Sequence, residues 1–116
     1  MIKSGVLKSI KAISEDIRIR ILLLLMEEEA CVCQLMSVFE TPQSKLSHHL
    51  ITLRDAGLLQ DEKRGKWNYY RVHTKSLNYT NTELVASLSR MLRDDSTVER
   101  DRKTLQRVKV RMQICC

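Results

Sequence analysis

The chain has 116 residues, 43% hydrophobic and only 4% aromatic, with 20 basic residues against 14 acidic for a formal charge of +6. That length fits one small domain with a modest core, and the charge favours a polyanionic partner. So few aromatic rings argue against a single-strand nucleic-acid binder that works by stacking. The longest apolar run, Ile21 to Met26, is far too short to cross a bilayer, so no membrane partner is expected. The N-terminus lacks the apolar core and cleavage site of a signal peptide. A cytoplasmic protein is expected, where thiols stay reduced; its four cysteines then point to metal, redox or catalytic chemistry rather than disulfides.

Residues 2 to 12, with Ile13 just beyond, carry Ile2, Val6, Leu7 and Ile10 near helical spacing, which predicts a short amphipathic helix docked on its own domain or on a second copy. Ser14 is expected to cap the next helix, with Glu15 and Asp16 at its positive dipole end. That helix runs to about Glu29, and Ile17, Ile21, Leu24 and Leu25, widened by Leu22, Leu23 and Met26, bury it on most sides. Ala30 to Phe39 forms a short helix with Val32, Leu35, Met36 and Phe39 inside. Thr41 caps the following helix, Pro42 takes its first position, and Gly57 ends it in a left-handed conformation. This helix, Gln43 to Ala56, buries Leu46, Leu50 and Leu53 and leaves Gln43, Ser44, Ser47, His48 and Ile51 off the apolar stripe.

Two short helices, a tight turn and a polar face near the start of the second describe a helix-turn-helix. Leu58 to Lys63 and Lys66 to His73 read as strands joined by a turn at Arg64-Gly65. Four basic residues and no acid lie between Lys63 and Arg71. A helix opening at Asn81-Thr82-Glu83 follows, with Leu84, Leu88, Met91 and Leu92 in its stripe. After Asp94-Asp95 the pattern resumes through Val98, Leu105, Val108 and Met112. Six basic residues and one acid lie between Arg100 and Arg111, and the chain closes on Cys115-Cys116. The expected fold is mainly α with a β-hairpin, a winged helix-turn-helix in the order ααααββα. Residues 1–95 form the DNA-binding and dimerisation domain, and residues 96–116 a basic C-terminal helix or tail.

Double-stranded DNA is the partner this arrangement implies. Gln43, Ser44, Ser47 and His48 are placed for base edges, Lys45 for a phosphate, and Lys63, Arg64 and Lys66 at the wing tip for backbone or minor groove. His49 is read as partly buried. The sulfur chemistry sits in Cys31-Val32-Cys33. Soft thiolates suit zinc, cadmium and lead. At positions i and i+2 of a regular helix the two side chains diverge by roughly 200°, so one ion can take both thiols only if the helix start is distorted. That conflict is read as a switch. No catalytic residues are assigned and no enzyme is expected: the chain has neither a phosphate-binding glycine loop nor a Cys-Xaa-Xaa-Cys motif. A small arsenic-binding carrier or thiol enzyme is the reading from another class.

The runs SEDIRIRILLLL, EACVCQL, TPQSKLSHHLITLRDAGLL and RGKWNYYRVH together resemble the ArsR/SmtB family of metal-responsive repressors, up to about residue 92. The CVC box is most similar to that of arsenic-responsive members. The resemblance implies a homodimer built from the first and last helices, bound to operator DNA and released by As(III) or Sb(III) on cysteine thiolates, ideally three. Ala30 and Gln34 depart from the box, and Ser37 stands where some arsenic sensors place a third cysteine. Leu84 to Leu92 lacks the Asp and His pairs of the family's zinc site, and residues 1 to 30 lack the cysteines of its cadmium/lead type. Cys31 and Cys33 are thus the expected ligands, with Cys115 or Cys116 as the third or as a site of their own. A thiol redox switch or a Cd/Pb/Zn-responsive repressor of the same fold remains the alternative.

Overall fold

A computed structural model describes residues 2–112. The elements are α1 (Ser4–Ala12), α2 (Asp16–Glu27), β1 (Ala30–Cys31), α3 (Val32–Phe39), α4 (Gln43–Asp55), β2 (Gln60–Arg64), β3 (Trp67–Arg71), a 3-10 turn (Thr74–Ser76), α5 (Tyr79–Met91) and α6 (Ser96–Arg111). The fold is mainly helical with one small antiparallel sheet.

Helix α2 is the axle. Ile21, Leu22, Leu23, Leu24 and Leu25 are all buried, because α4, α5, α6 and β3 pack around it. A helix apolar on every side needs such a surround, and each fully buried leucine contributes about 1.5–3 kcal/mol. Leu46, Leu50 and Leu53 on α4, Leu35 on α3, and Leu105 and Val108 on α6 complete the core with Leu58, Leu59 and Val72.

Several boundaries differ from the sequence reading, each for a local reason. Ser14 does not cap α2: its hydroxyl donates to the Lys11 carbonyl at 2.7 Å, and extended Glu15 holds the N-cap position. Thr41 does not cap α4 either. Pro42 is the N-cap residue, in extended backbone, and the helix begins at Gln43. Helix α5 starts two residues earlier than expected, because the Asn78 side chain caps it by accepting from the Asn81 N–H at 2.8 Å. Asn81 is fully buried; it accepts from the Ser9 hydroxyl at 2.6 Å and donates to the Ala56 carbonyl at 2.9 Å, tying α1, α4 and α5 together. Gly57, with φ of 78°, ends α4 beside that amide as expected.

The sheet has three strands, not two. Ala30 pairs with Tyr70 and Cys31 with Tyr69, while the hairpin pairs Gln60 with Arg71 through to Arg64 with Trp67. Its turn is Gly65-Lys66, with Gly65 at φ 61°. Ala30 and Cys31 therefore leave the helix in which the sequence placed them.

Helix α6 is separate from α5. Asp95 caps it, accepting from the Thr97 and Val98 N–H groups at 2.8 and 3.2 Å. It is clamped to α2 by Asp101, 3% exposed, whose two carboxylate oxygens accept from Arg20 Nε and Nη2 at 2.8 Å each. Removing one partner of a buried, bidentate pair strands the other. Asp101→Ala should therefore lower unfolding stability by about 2–3 kcal/mol, read as a drop in the urea midpoint. An unchanged midpoint would mean that α6 is not docked this way.

Candidate nucleic-acid interface and sulfur site

The reading face of α4 follows from its register. At about 100° per residue, Gln43, Ser44, Ser47, His48 and Ile51 fall within an arc of about 140°. Leu46, Leu50 and Leu53, on the other side, are fully buried. Gln43, Ser44, Lys45 and His48 are exposed and Ser47 is half-buried. From Gln43 to Ile51 the arc runs about 12 Å along the axis, the width of a DNA major groove. Ile51 lies mid-arc and 41% exposed. It was not among the DNA residues expected from sequence, yet an apolar side chain in that position suits a thymine methyl group. No side chain caps α4, so its first N–H groups remain available for a phosphate.

His49, by contrast, is built into the protein. It is 8% exposed and its Nδ1 accepts from Arg18 Nε at 3.0 Å. Burial, then the Arg18 charge, hold its pKa below the ordinary 6.5. Adjacent His48 points to solvent, so the two do not form a metal pair.

At the wing, Lys63 and Lys66 are exposed and in no ion pair among the described residues. Arg64 is exposed too, but its guanidinium is paired with two acids. Nη1 and Nη2 donate to the two Glu29 carboxylate oxygens at 2.7 Å each, and Nε donates to Glu62 at 2.9 Å. Its plane lies 4.5 Å from the Tyr69 ring centroid. Arg64 holds the Glu29 carboxyl below the usual carboxylate range, while Glu29 and Glu62 raise the Arg64 pKa further.

The sulfur box sits where β1 becomes α3. Cys31 is fully buried, in extended backbone, and is the N-cap residue of α3. Its N–H donates to Gln34 Oε1 at 3.1 Å, so the glutamine that departs from the family box serves as a cap partner. Cys33, half-buried, stands in the first turn. The expected helical conflict between the two thiols is therefore absent: only Cys33 is helical, and the helix need not unwind. Neither sulfur is a free thiol in this structure, each being disulfide-bonded, so ion ligation requires prior reduction. Ser37, in the expected third position, donates to the Cys33 carbonyl at 3.3 Å. Cys33 and Ser37 line a groove with Met36, Glu40, Thr41, Pro42 and Met112. The end of α6 thus reaches both the sulfur box and the start of α4. Cys115 and Cys116 lie outside the described residues. Among the described residues no group of three or more His, Cys, Asp or Glu side chains is arranged to hold a metal ion.

A helical core built around α2, an exposed helix-turn-helix face and a hairpin beside it define a winged-helix regulator. A family model described as bacterial regulatory protein, arsR family, matches residues 15–61. The arsenic resistance transcriptional regulator ArsR2 of Pseudomonas putida is 34% identical over 91% of this chain and 93% of its own length. ArsR1 of the same organism is 47% identical over 54% of this chain, an aligned segment that spans only half of that relative. Reduced HlyU from Vibrio cholerae superimposes with a TM-score of 0.64 at 28% identity, covering 76% of this chain and 88% of that one. The chain belongs to the arsR family of bacterial regulatory proteins, a family of transcriptional regulators rather than enzymes.

The buried histidine sets a pH dependence. With its folded pKa lowered, the unfolded chain takes the proton first on acidification. Stability tied to His49 is complete above the ordinary value and is lost as pH falls through the folded one. The melting temperature should fall between about pH 7.5 and 5.5, and His49→Asn, which keeps an acceptor for Arg18, should flatten that fall. An equal fall in the variant would assign it to other groups.

Proposed function

We propose that the chain is a transcriptional repressor that binds operator DNA as a homodimer and leaves it when trivalent arsenic or antimony occupies its cysteines. The observation that carries this reading is the register of β1. It puts Cys31 in a ladder with Tyr69 on the wing strand, while Cys33 lies in the first turn of α3, which packs on α4. One ion held by both thiols bears on the wing and on the reading helix at once.

Gln43, Ser44, Ser47, His48 and Ile51 meet base edges; Lys45, Lys63 and Lys66 meet phosphates. The homodimer is supported by apolar side chains left uncovered on α1, just before it and on α5: Leu7, Ile10, Ile2, Tyr79 and Met91 are between 42% and 80% exposed. A dimer carries twice the charge of +6, which strengthens attraction to phosphate. Trivalent arsenic prefers three thiolates. Met112 lines the Cys33 groove, and Cys115 is three residues further on, a span of at most about 10 Å of chain. The third ligand in this reading is Cys115 or Cys116, from the same or the other subunit. The ion favours whichever arrangement brings the thiolates together, and its differential affinity shifts the population off DNA. A thiol redox switch of the same fold is the second reading, since the same two cysteines could carry it.

Three outcomes follow. The protein should retard its own upstream DNA at low salt, with affinity falling steeply, by about 10³-fold or more, between about 50 and 200 mM salt; no retardation at low salt would falsify the repressor reading. Under reducing conditions arsenite should release that DNA from the wild type and not from Cys31→Ser/Cys33→Ser. Release from the variant would move the sensor elsewhere, and release by peroxide alone would favour the redox reading. Ile10→Asp on α1 should convert a sedimenting dimer to monomer and weaken DNA binding with it; a wild type that sediments as a monomer would remove the dimer.

A further inference from the structure

Arg64 has two partners besides Glu62, and both flank Cys31. Glu29 is two residues before it in the chain. Tyr69 is its partner across the β1–β3 ladder. The contacts close a ring: Cys31 to Tyr69 through the ladder, Tyr69 to Arg64 through the ring face, Arg64 to Glu29 through a bidentate ion pair, and Glu29 back to Cys31 through Ala30. The ring is anchored from behind. Lys109 on α6 donates its ammonium to the Glu29 carbonyl and pairs with Glu28 at 3.3 Å.

We infer that Glu29 is a positioning residue that competes with DNA phosphate for the Arg64 guanidinium and thereby links the sulfur box to the wing. The inference rests on the DNA-binding reading above. The chemistry of the competition is direct. A carboxylate with two oxygens and a phosphate with two free oxygens offer guanidinium the same planar, bidentate geometry. Arg64 stands one residue before the wing turn, next to Lys63 and close to Lys66, cations in no ion pair among the described residues. Isolated surface ion pairs are usually worth little, but a bidentate pair stacked on a ring is the geometry in which they hold. Glu29 thus keeps one of three wing-tip cations off the DNA until phosphate displaces it. Because Glu29 and Tyr69 both adjoin Cys31, an ion that shifts the thiols resets how firmly Arg64 is held.

The test is a double-mutant cycle on DNA affinity, measured by anisotropy with a labelled duplex from the chain's own upstream region, on reduced, ion-free, full-length protein. Glu29→Gln should bind about three- to tenfold more tightly than wild type, with a salt slope steeper by up to about one. In the Arg64→Gln background the same substitution should change nothing. An equal gain in both backgrounds would reduce Glu29 to a generic repulsive charge and overturn the competition, as would unchanged or weaker binding by Glu29→Gln with an unaltered melting temperature. Loss of all binding by the wild type is a separate result: it sinks the repressor reading and the inference with it. Arsenite added to each complex tests the link. Its effect on affinity should be smaller in Glu29→Gln than in wild type, and an equal effect would detach the pair from the sulfur box.

Discussion

The two-residue strand Ala30–Cys31 is the constraint on which the rest of this molecule turns. Its pairing with Tyr70 and Tyr69 joins the hairpin to the body of the protein at the point where α2 hands over to α3. Without it the wing would be an isolated two-stranded ribbon, which is marginal in water. With it, Tyr70 is buried and the wing strand is held against α2 and α3. The same pairing takes Cys31 out of the helix, makes it the N-cap residue, and sets the first turn of α3 so that Cys33 follows in helical backbone. Sulfur chemistry and wing position are thus properties of one ladder.

Charge is distributed in keeping with this division. Arginines and lysines that face the body are matched to acids: Arg20 to Asp101, Arg64 to Glu29, Lys109 to Glu28, Arg102 to Glu99 and Glu27. Along α6, Arg100, Arg107 and Arg111 face outward and are in no ion pair among the described residues. The positive excess that recommends a polyanionic partner is therefore an outer-surface property, while the Arg20–Asp101 pair, with its buried carboxylate, holds α2 and α6 in register. A pair with one buried partner, such as Arg20–Asp101, specifies an arrangement more than it stabilises it.

Much of the fold was legible in the sequence because its signals are local. The all-apolar run Ile21 to Leu25 marks a central helix whatever surrounds it. Leu46, Leu50 and Leu53 set one face of α4 and so determine the other. Gly57 and Gly65 mark turns that require positive φ. What escaped was non-local. Nothing in Glu29-Ala30-Cys31 announces a strand, since its partner is about forty residues away and a two-residue ladder has no periodicity. The helical reading of the cysteine box, and the conflict drawn from it, failed for that reason. Ser14 and Thr41 look like caps, but a hydroxyl bond back to Lys11 and the rigid extended backbone of Pro42 decided otherwise. Arg64 read as a DNA contact from charge and position; that it also grips Glu29 depends on the ladder, which sequence spacing does not reveal. Ile51 was visible as an apolar residue on a polar face, and only its exposure turns that oddity into a candidate contact.

The central claim is that the cysteine box and the wing form one mechanical unit through β1 and β3. Amide hydrogen exchange on the reduced, DNA-free protein, with and without arsenite, tests it most directly. Exchange should change together at Ala30–Cys31 and at Tyr69–Tyr70, with the buried amides of α2 unaffected. A change confined to the first turn of α3, with the Tyr69 and Tyr70 amides exchanging as before, would contradict it.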